Sequence, residues 1–390
     1  MRINAVAHHN TVFHQILSNI PWGWFDRSVE QHRADKGVRR LNTRTQLISL
    51  LFHQFSENTS LRRLVSGFNS HRRRLHHLGC ETISRSTLSD ANATRAHGVF
   101  SSLFAALLAR AHGSVASKAR DCVHLIDSTT VRLSRLGGEW ARFSEGVYGA
   151  KAHIVYDPDA DCPIHAVITP ENVNDISAAK VMPIQAGATY VFDLGYYDSG
   201  WWAELAAAGC RIVTRFRANT PLHDIGERLV EPGGSILSDR TGLLPARQAR
   251  SRRNPMHERV REVRVRTESG KILRLFTNDL TSSPEVIAEL YKRRWAIELF
   301  FRWVKQTLKI RHFVGTSENA VRIQITVALI AFLLLRLTRT AIDGIALAPI
   351  EFVTLIKVNL MHRRTIRDLL ALPEEPRRCS NENQGVLQWA

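Results

Sequence analysis

Between positions 291 and 309 the chain reads YKRRWAIELFFRWVKQTLK, and four of its residues have types and spacings that could do chemistry. Tyr291, Arg294, Glu298 and Lys305 follow one another at steps of three, four and seven residues. A helix turns about every 3.6 residues, so seven residues is close to two turns. The spacing predicts one helix with Tyr291, Glu298 and Lys305 on a single stripe and Arg294 beside Glu298 at i,i+4. Such a face offers one carboxylate to a metal ion while its cations and phenol hold phosphates. Arg302 and Lys309 extend the basic stripe as further phosphate contacts. A plainer reading stays open. Arg294–Glu298 is then a surface ion pair worth little, and Trp295, Leu299 and Phe300 are the buried side of an amphipathic helix.

The elements that must position this face lie upstream. Residues 122–133 (CVHLIDSTTVRL), 147–157 (VYGAKAHIVYD) and 164–169 (IHAVIT) read as three consecutive strands, with breaks at Gly137-Gly138 and 158–162. A helix near 176–186, a strand at 189–193, a helix near 200–208 and a strand at 211–217 follow. Three strands and then alternating helix and strand is an α/β order, and it is the order of a ribonuclease-H-like mixed sheet. In such a sheet the first and fourth strands are neighbours. Asp127, after the apolar run 123–126, and Asp193, after 190–192, then sit close together at a sheet edge. Paired carboxylates repel unless a cation lies between them. Mg²⁺ suits the place, since it prefers oxygen ligands and keeps waters. A third acid from the later helix completes a two-metal site, with ions roughly 3.5–4 Å apart. Each aspartate also has a plainer role, because Ser128-Thr129-Thr130 and Leu194-Gly195 follow them and an Asp side chain caps such turns.

Other polar residues carry less. Lys151 and His153 on the second strand either face the metal site or are packed away. Asp157, Asp175 and Asp198 read as turn acids, and Trp201-Trp202 as the anchor of a helix on the sheet.

The flanking regions differ in character. Residues 1–115 read as helical, with helices at 43–55, 60–68 (Ser60 as N-cap) and 84–108. Arg62, Arg63, Arg72, Arg73 and Arg74 cluster there. Short Arg-rich helices resemble a helix-turn-helix DNA reader, with 84–95 the candidate for the groove. A helical bundle with a solvated basic face fits equally. Residues 218–275 are rich in Pro and Gly and hold VREVRVRT, whose arginines are expected on one face of a strand. This reads as a β-rich insertion ending in ILRLFTND. Long apolar helices follow, then a polar tail from 373. The chain therefore divides into a helical domain (1–115), a catalytic core (116–217 and 276–345), the insertion (218–275) and a helical C-terminal segment with its tail (346–390).

Composition narrows the partners. Lys and Arg number 53 against 36 Asp and Glu, a net charge of +17, which points to a polyanion such as nucleic acid. The five cysteines are scattered with no C-x-x-C pair, so neither a zinc ribbon nor a redox motif is supported. With no signal-like N-terminus, a reducing cytoplasm is expected. The apolar run 325–335 is too short to span a bilayer and reads as a buried helix.

HLIDSTTVRL around Asp127, YVFDLGYYD around Asp193 and the Tyr-x2-Arg-x3-Glu-x6-Lys pattern together resemble the DDE-class transposases of bacterial insertion sequences, of the insertion-sequence-four type. FHQFSENTSLRRL and STLSDAN resemble the helical domain before the core in one branch of that group. The resemblance implies that Asp127, Asp193 and Glu298 bind two Mg²⁺ or Mn²⁺ ions. It implies that Tyr291, Arg294 and Lys305 contact phosphates near the scissile bond, and that the protein pairs terminal inverted repeats and target DNA as a dimer. Asp193 and Glu298 are 105 positions apart, room enough for the family's β-rich insertion. One departure concerns the Trp on which some members stack a flipped base while cutting through a hairpin, since residues 203–294 contain no Trp. A catalytically silent DNA-binding derivative and a ribonuclease-H-like nuclease are the competing functions.

Overall fold

The structure is a computed structural model that describes residues 10–56, 59–113, 122–133, 140, 142–144, 147–249, 252–308, 313–342 and 347–370. Lys309, the Gly137-Gly138 break and the polar tail lie outside the described residues.

The chain begins with α1 (Val12–Leu17), α2 (Trp22–Gln31), α3 (Thr43–Phe55), α4 (Leu61–Ser70), α5 (Arg72–Leu75), α6 (Arg85–Thr94) and α7 (His97–Gly113). Side chains set several starts. Asn42, Ser60 and Ser84 accept from the amides of Thr45 (2.8 Å), Arg63 (3.3 Å) and Thr87 (3.2 Å), groups that have no partner in a first turn. The single helix expected over 84–108 is two. At Arg95 the backbone leaves the helix (ψ 136°), and its buried guanidinium donates to Ala34 O (2.6 Å), Asp35 Oδ1 (2.9 Å) and Leu41 O (2.6 Å). That inward tether ends α6 and turns Arg95 away from any groove.

Next come β1 (Val123–Leu133), β2 (Arg142–Ser144), β3 (Val147–Asp157), β4 (Cys162–Pro170), α8 (Asp175–Ala179), β5 (Thr189–Phe192), α9 (Ser199–Ala207) and β6 (Arg211–Arg215). β3 runs antiparallel to β1, β2 and β4, whereas β5 lies between β1 and β6 and runs parallel to both. This is a ribonuclease-H-like sheet, with the first of the expected strands beside the fourth. The helix expected near 176–186 stops at Ala179. Pro183 lies just beyond, and a proline disfavours helical backbone in the residue before it.

The β-rich insertion lengthens the same sheet. Its strands are β7 (His223–Arg228), β8 (Ile236–Leu243), β9 (Arg247–Ala249), β10 (Arg252–Arg253), β11 (Val260–Arg266) and β12 (Ile272–Thr277). β12 pairs with β6, β11 with β12, β8 with β11 and β7 with β8, while β9 and β10 form a separate ribbon. The arginines of VREVRVRT do not share a face. A strand alternates sides every residue, so Arg264 and Arg266 stand opposite Arg261. Arg261 is fully buried, paired through two 2.7 Å bonds with Asp239, and it donates to Ser282 O at 2.6 Å.

The same alternation sorts the sheet into two cores. Leu125, Ile154, Val191 and Val213 join the larger one, whereas Ile126, Val155, Phe192 and Ile212 join the smaller one with Trp201 and Trp202. Over the larger core lie α10 (Pro284–Arg293), α11 (Trp295–Thr307) and α12 (Glu318–Thr340). α12 has the length and apolarity to cross a membrane, but 78% of its apolar window is buried inside this protein, against α7, α3 and α6. Finally α13 (Pro349–Asn359) and α14 (Ile366–Leu370) bring the chain back to its start. Val12 N donates to His362 O (3.0 Å), Phe13 N to Leu360 O (2.8 Å) and Gln15 Nε2 to Arg364 O (2.7 Å).

Candidate active site

Strand register brings the acids together. The β1–β5 ladder runs from Val123↔Thr189 to Ile126↔Phe192, so one residue further on Asp127 and Asp193 stand level. The β5–β6 ladder, extended two residues past Val191↔Val213, puts Arg215 level with Asp193. All three are odd-numbered, like Leu125, Val191 and Val213, and so belong to the face that α10 and α11 cover. Asp127 accepts from Ser128 N (2.8 Å), but β1 runs on to Leu133, so there is no turn there to cap. Asp193 does cap one: its Oδ1 accepts from Gly195 N (2.8 Å) at the 3₁₀ turn Leu194–Tyr196.

The signature is carried by two helices, not the one that its spacing predicts. The break falls at Arg294, where Arg294 N bonds Tyr291 O (3.1 Å) and Ile297 N bonds Arg294 O (3.2 Å). Both are three-residue bonds, tighter than the α-helical four. At this joint the Arg294 guanidinium lies between two acids, 3.6 Å from Asp127 and 2.5 Å from Glu298. It also lies 5.7 Å from the centre of the Tyr291 ring. Tyr291 itself is buried, so it supports Arg294 and presents little surface.

Burial first, and then Asp193 and Glu298, push the Asp127 carboxyl up to about 6 against the downward pull of the Ser128 amide and Arg294. Burial also raises the Tyr291 phenol, against the pull of Arg294 and Arg215. For Arg294 burial acts downward, yet Tyr291, Glu298 and Asp127 outweigh it and hold the guanidinium more firmly charged. The site is thus a half-buried acid with two acidic neighbours, with Arg294 between Asp127 and Glu298. Among the described residues no group of three or more His, Cys, Asp or Glu side chains is placed closely enough to hold a metal ion as it stands. The acids surround a guanidinium.

Asp127, Asp193, Tyr291, Arg294 and Glu298 are therefore gathered at one place. Arg302 and Lys305 lie further along α11. Arg302 is exposed, 5.6 Å from the ring of the half-exposed Trp295, and Lys305 is half-buried. Two of the turn acids are that: Asp157 accepts from the amides of Asp159 and Ala160 (both 2.9 Å), and Asp198 caps α9 through Trp201 N (2.8 Å). Asp175 is different. It takes Ser128 Oγ (2.9 Å) and Lys151 Nζ (3.1 Å), with His153 Nδ1 at 3.6 Å. Sequence reasoning passed over Arg215, whose place depends on a ladder offset that no local pattern reveals.

Two acids at the end of a ribonuclease-H-like sheet and a third on an adjoining helix, with an arginine among them, make up the candidate site. The profile of the transposase DDE domain matches residues 118–334, and a domain of unknown function matches 8–81. The chain belongs to the DDE transposase family, the DNA transposases of bacterial insertion sequences. It is 38% identical over 293 residues to "Putative transposase y4zB" of Sinorhizobium fredii, covering 74% of this chain and 80% of that protein. It is 33% identical over 216 residues to "Probable transposase for insertion sequence element IS5377" of Geobacillus stearothermophilus, covering 55% and 56%. A solved piggyBac transposase synaptic complex with hairpin DNA overlays 94% of this chain and 82% of its own, at 12% identity and TM-score 0.43, a likeness too distant to bear on the site.

Proposed function

We propose that Asp127, Asp193 and Glu298 hold two divalent ions, Mg²⁺ or Mn²⁺, and that the protein nicks the ends of its element and joins the 3′-ends to target DNA. The observation that carries this is the level pair Asp127 and Asp193, with Glu298 joined to Asp127 through Arg294. The donor set fits a hard cation: all oxygen, with one carboxyl kept from easy ionisation by burial and by two acidic neighbours. Ions bound there would supply an activated water or 3′-hydroxyl and charge relief at the leaving oxygen.

The chain's own residues do the rest. Arg294, supported by Tyr291, balances the acids and turns to the scissile phosphate when ions take them over. Lys305 and Arg302 hold phosphates further along α11, and Arg215 adds a cation beside Asp193. The helical domain 1–115 holds the repeat ends through Arg62, Arg63, Arg72 and Arg73, which are exposed. Among the described residues no ion pair ties any of them to an acid. Two copies acting on paired ends, in the bacterial cytoplasm, complete the picture. Residues 218–275 contain no Phe, Tyr or Trp, and Phe216 and Phe276 are buried, so stacking of a flipped base on the insertion is not part of this reading.

The test is incubation of the purified protein with repeat-end DNA and Mg²⁺, with product ends mapped. Asp127→Ala, Asp193→Ala and Glu298→Ala should each abolish nicking while leaving DNA binding in EDTA intact. Metal-dependent cleavage that survives any of the three would sink the assignment. A DNA-binding protein without chemistry would show no nicks in the parent.

A further inference from the structure

On the face of the sheet opposite α11, a fourth acid is held by the side chains of Ser128 and Lys151. Ser128 and Lys151 share strand parity with Ile126 and Val155, whose side chains lie in the smaller core with α8 and α9. Asp175, at the start of α8, meets them there. Its Oδ1 accepts from Ser128 Oγ (2.9 Å) and Lys151 Nζ (3.1 Å). Lys151 also donates to Val173 O (3.1 Å), which fixes the loop leading into α8. His153 stands 3.6 Å away, and burial pushes its pKa down to about 4, so Lys151 carries the balancing charge.

Two links run from this acid to the catalytic pair. Ser128 donates its hydroxyl to Asp175 and its backbone N–H to Asp127 Oδ1 (2.8 Å), so the carboxylate on one face is tied to the acid on the other. The second link is the turn after Asp193. A Cβ placed on Gly195 would lie 3.0 Å from Asp193 Oδ1 and 3.2 Å from Asp175 Oδ2, so this turn is seated directly on Asp175. Without a side chain, Gly195 lets both carboxyl groups approach.

We infer that Asp175 is a positioning residue: through Ser128 and the Gly195 turn it sets the separation and aim of Asp127 and Asp193. The inference rests on the metal-binding reading of those two acids. The inference makes Asp175 a support and not a ligand: its Oδ1 accepts from donors on the face opposite α11, and its Oδ2 faces the Gly195 turn. Groups that orient metal ligands from behind typically change metal affinity or activity by about 10–100-fold when altered.

The experiment titrates Mn²⁺ into the full-length protein by electron paramagnetic resonance, with DNA binding in EDTA and the thermal midpoint read alongside. Asp175→Asn keeps the shape and should weaken Mn²⁺ binding by about 10–100-fold with DNA binding in EDTA unchanged. Ser128→Ala, which removes the hydroxyl held by Asp175 and leaves the amide on Asp127, should weaken it by a smaller factor. Unchanged Mn²⁺ affinity in Ser128→Ala overturns the inference, even if Asp175→Asn proves too unstable to measure. Loss of Mn²⁺ binding in Asp175→Asn beside a normal Ser128→Ala would make Asp175 a ligand and also overturn it. Asp127→Ala is the control: if that variant binds Mn²⁺ like the parent, the metal reading itself has failed.

Discussion

At Asp127 the fold keeps a carboxyl group where an anion is disfavoured, with a pKa raised from 3.8 to about 6 by burial and acidic neighbours. Below pH 4 both folded and unfolded chains hold that proton. As pH rises from about 4 to 6 the unfolded chain releases it first, so the metal-free protein loses stability across that window. Above it the ionised group costs on the order of 2–3 kcal/mol. Asp127→Asn should therefore melt higher than the parent at pH 7 without metal, and the gap should close toward pH 4. Calorimetric scans at both pH values decide it, and a gap independent of pH would refute the raised pKa. Arg294 supplies the opposing charge and competes with metal for Asp127 and Glu298. Arg294→Gln should bind Mn²⁺ at least as tightly as the parent yet nick DNA far more slowly. Weaker Mn²⁺ binding in that variant would mean that Arg294 organises the acids and does not compete for them.

Among the elements, β11 joins the sheet extension to the helix that carries the signature. Arg261 on β11 pairs with Asp239 on β8 and donates to Ser282 O, just ahead of α10. Removing one member of a buried ion pair strands the other, at a cost of roughly 3–5 kcal/mol. Arg261→Ala should lose about that much in urea unfolding, whereas Arg261→Met with Asp239→Leu should stay near the parent. A small loss in the single variant would show the pair to be solvated. The strands of the core and the places of Asp127 and Asp193 were legible in the sequence, because each follows a short apolar run, 123–126 and 190–192, with nothing remote to consult. The break at Arg294 was not, since Asp127 draws its side chain from another strand. Nor was the end of α6, which depends on carbonyls at Ala34 and Leu41. The split of Arg261 from Arg264 was written in strand parity and was misread. Asp175 looked like a turn acid because its partners sit on two other strands.

Across the whole molecule the excess of +17 charges finds a surface built from both ends of the chain. Arg363 Nη2 lies 3.0 Å from His77 Nε2, His77 stacks on His76 at 3.9 Å, and Arg74 donates to Met361 O at 2.6 Å. Exposed Arg72, Arg73 and Arg363 thus belong to neighbouring segments, and a phosphate backbone is the partner that such crowded cations favour. Replacing these three with Ala should lower the slope of log K against log salt by about 0.9 for each phosphate no longer neutralised. Fluorescence anisotropy with labelled end DNA over a KCl series measures it, and an unchanged slope would remove the surface from the DNA path.

The hydrogen bonds from Val12 and Phe13 to His362 and Leu360 also carry a consequence in time. A ribosome adds about 5–20 residues per second, so roughly 20–70 s separate the synthesis of the two partners. Until then α1 is without the turn that receives its first amides, and the cations at 363 and 364 have not been made. On the DNA-binding role proposed for that surface, a nascent chain that has not reached residue 364 should bind end DNA more weakly than the released one.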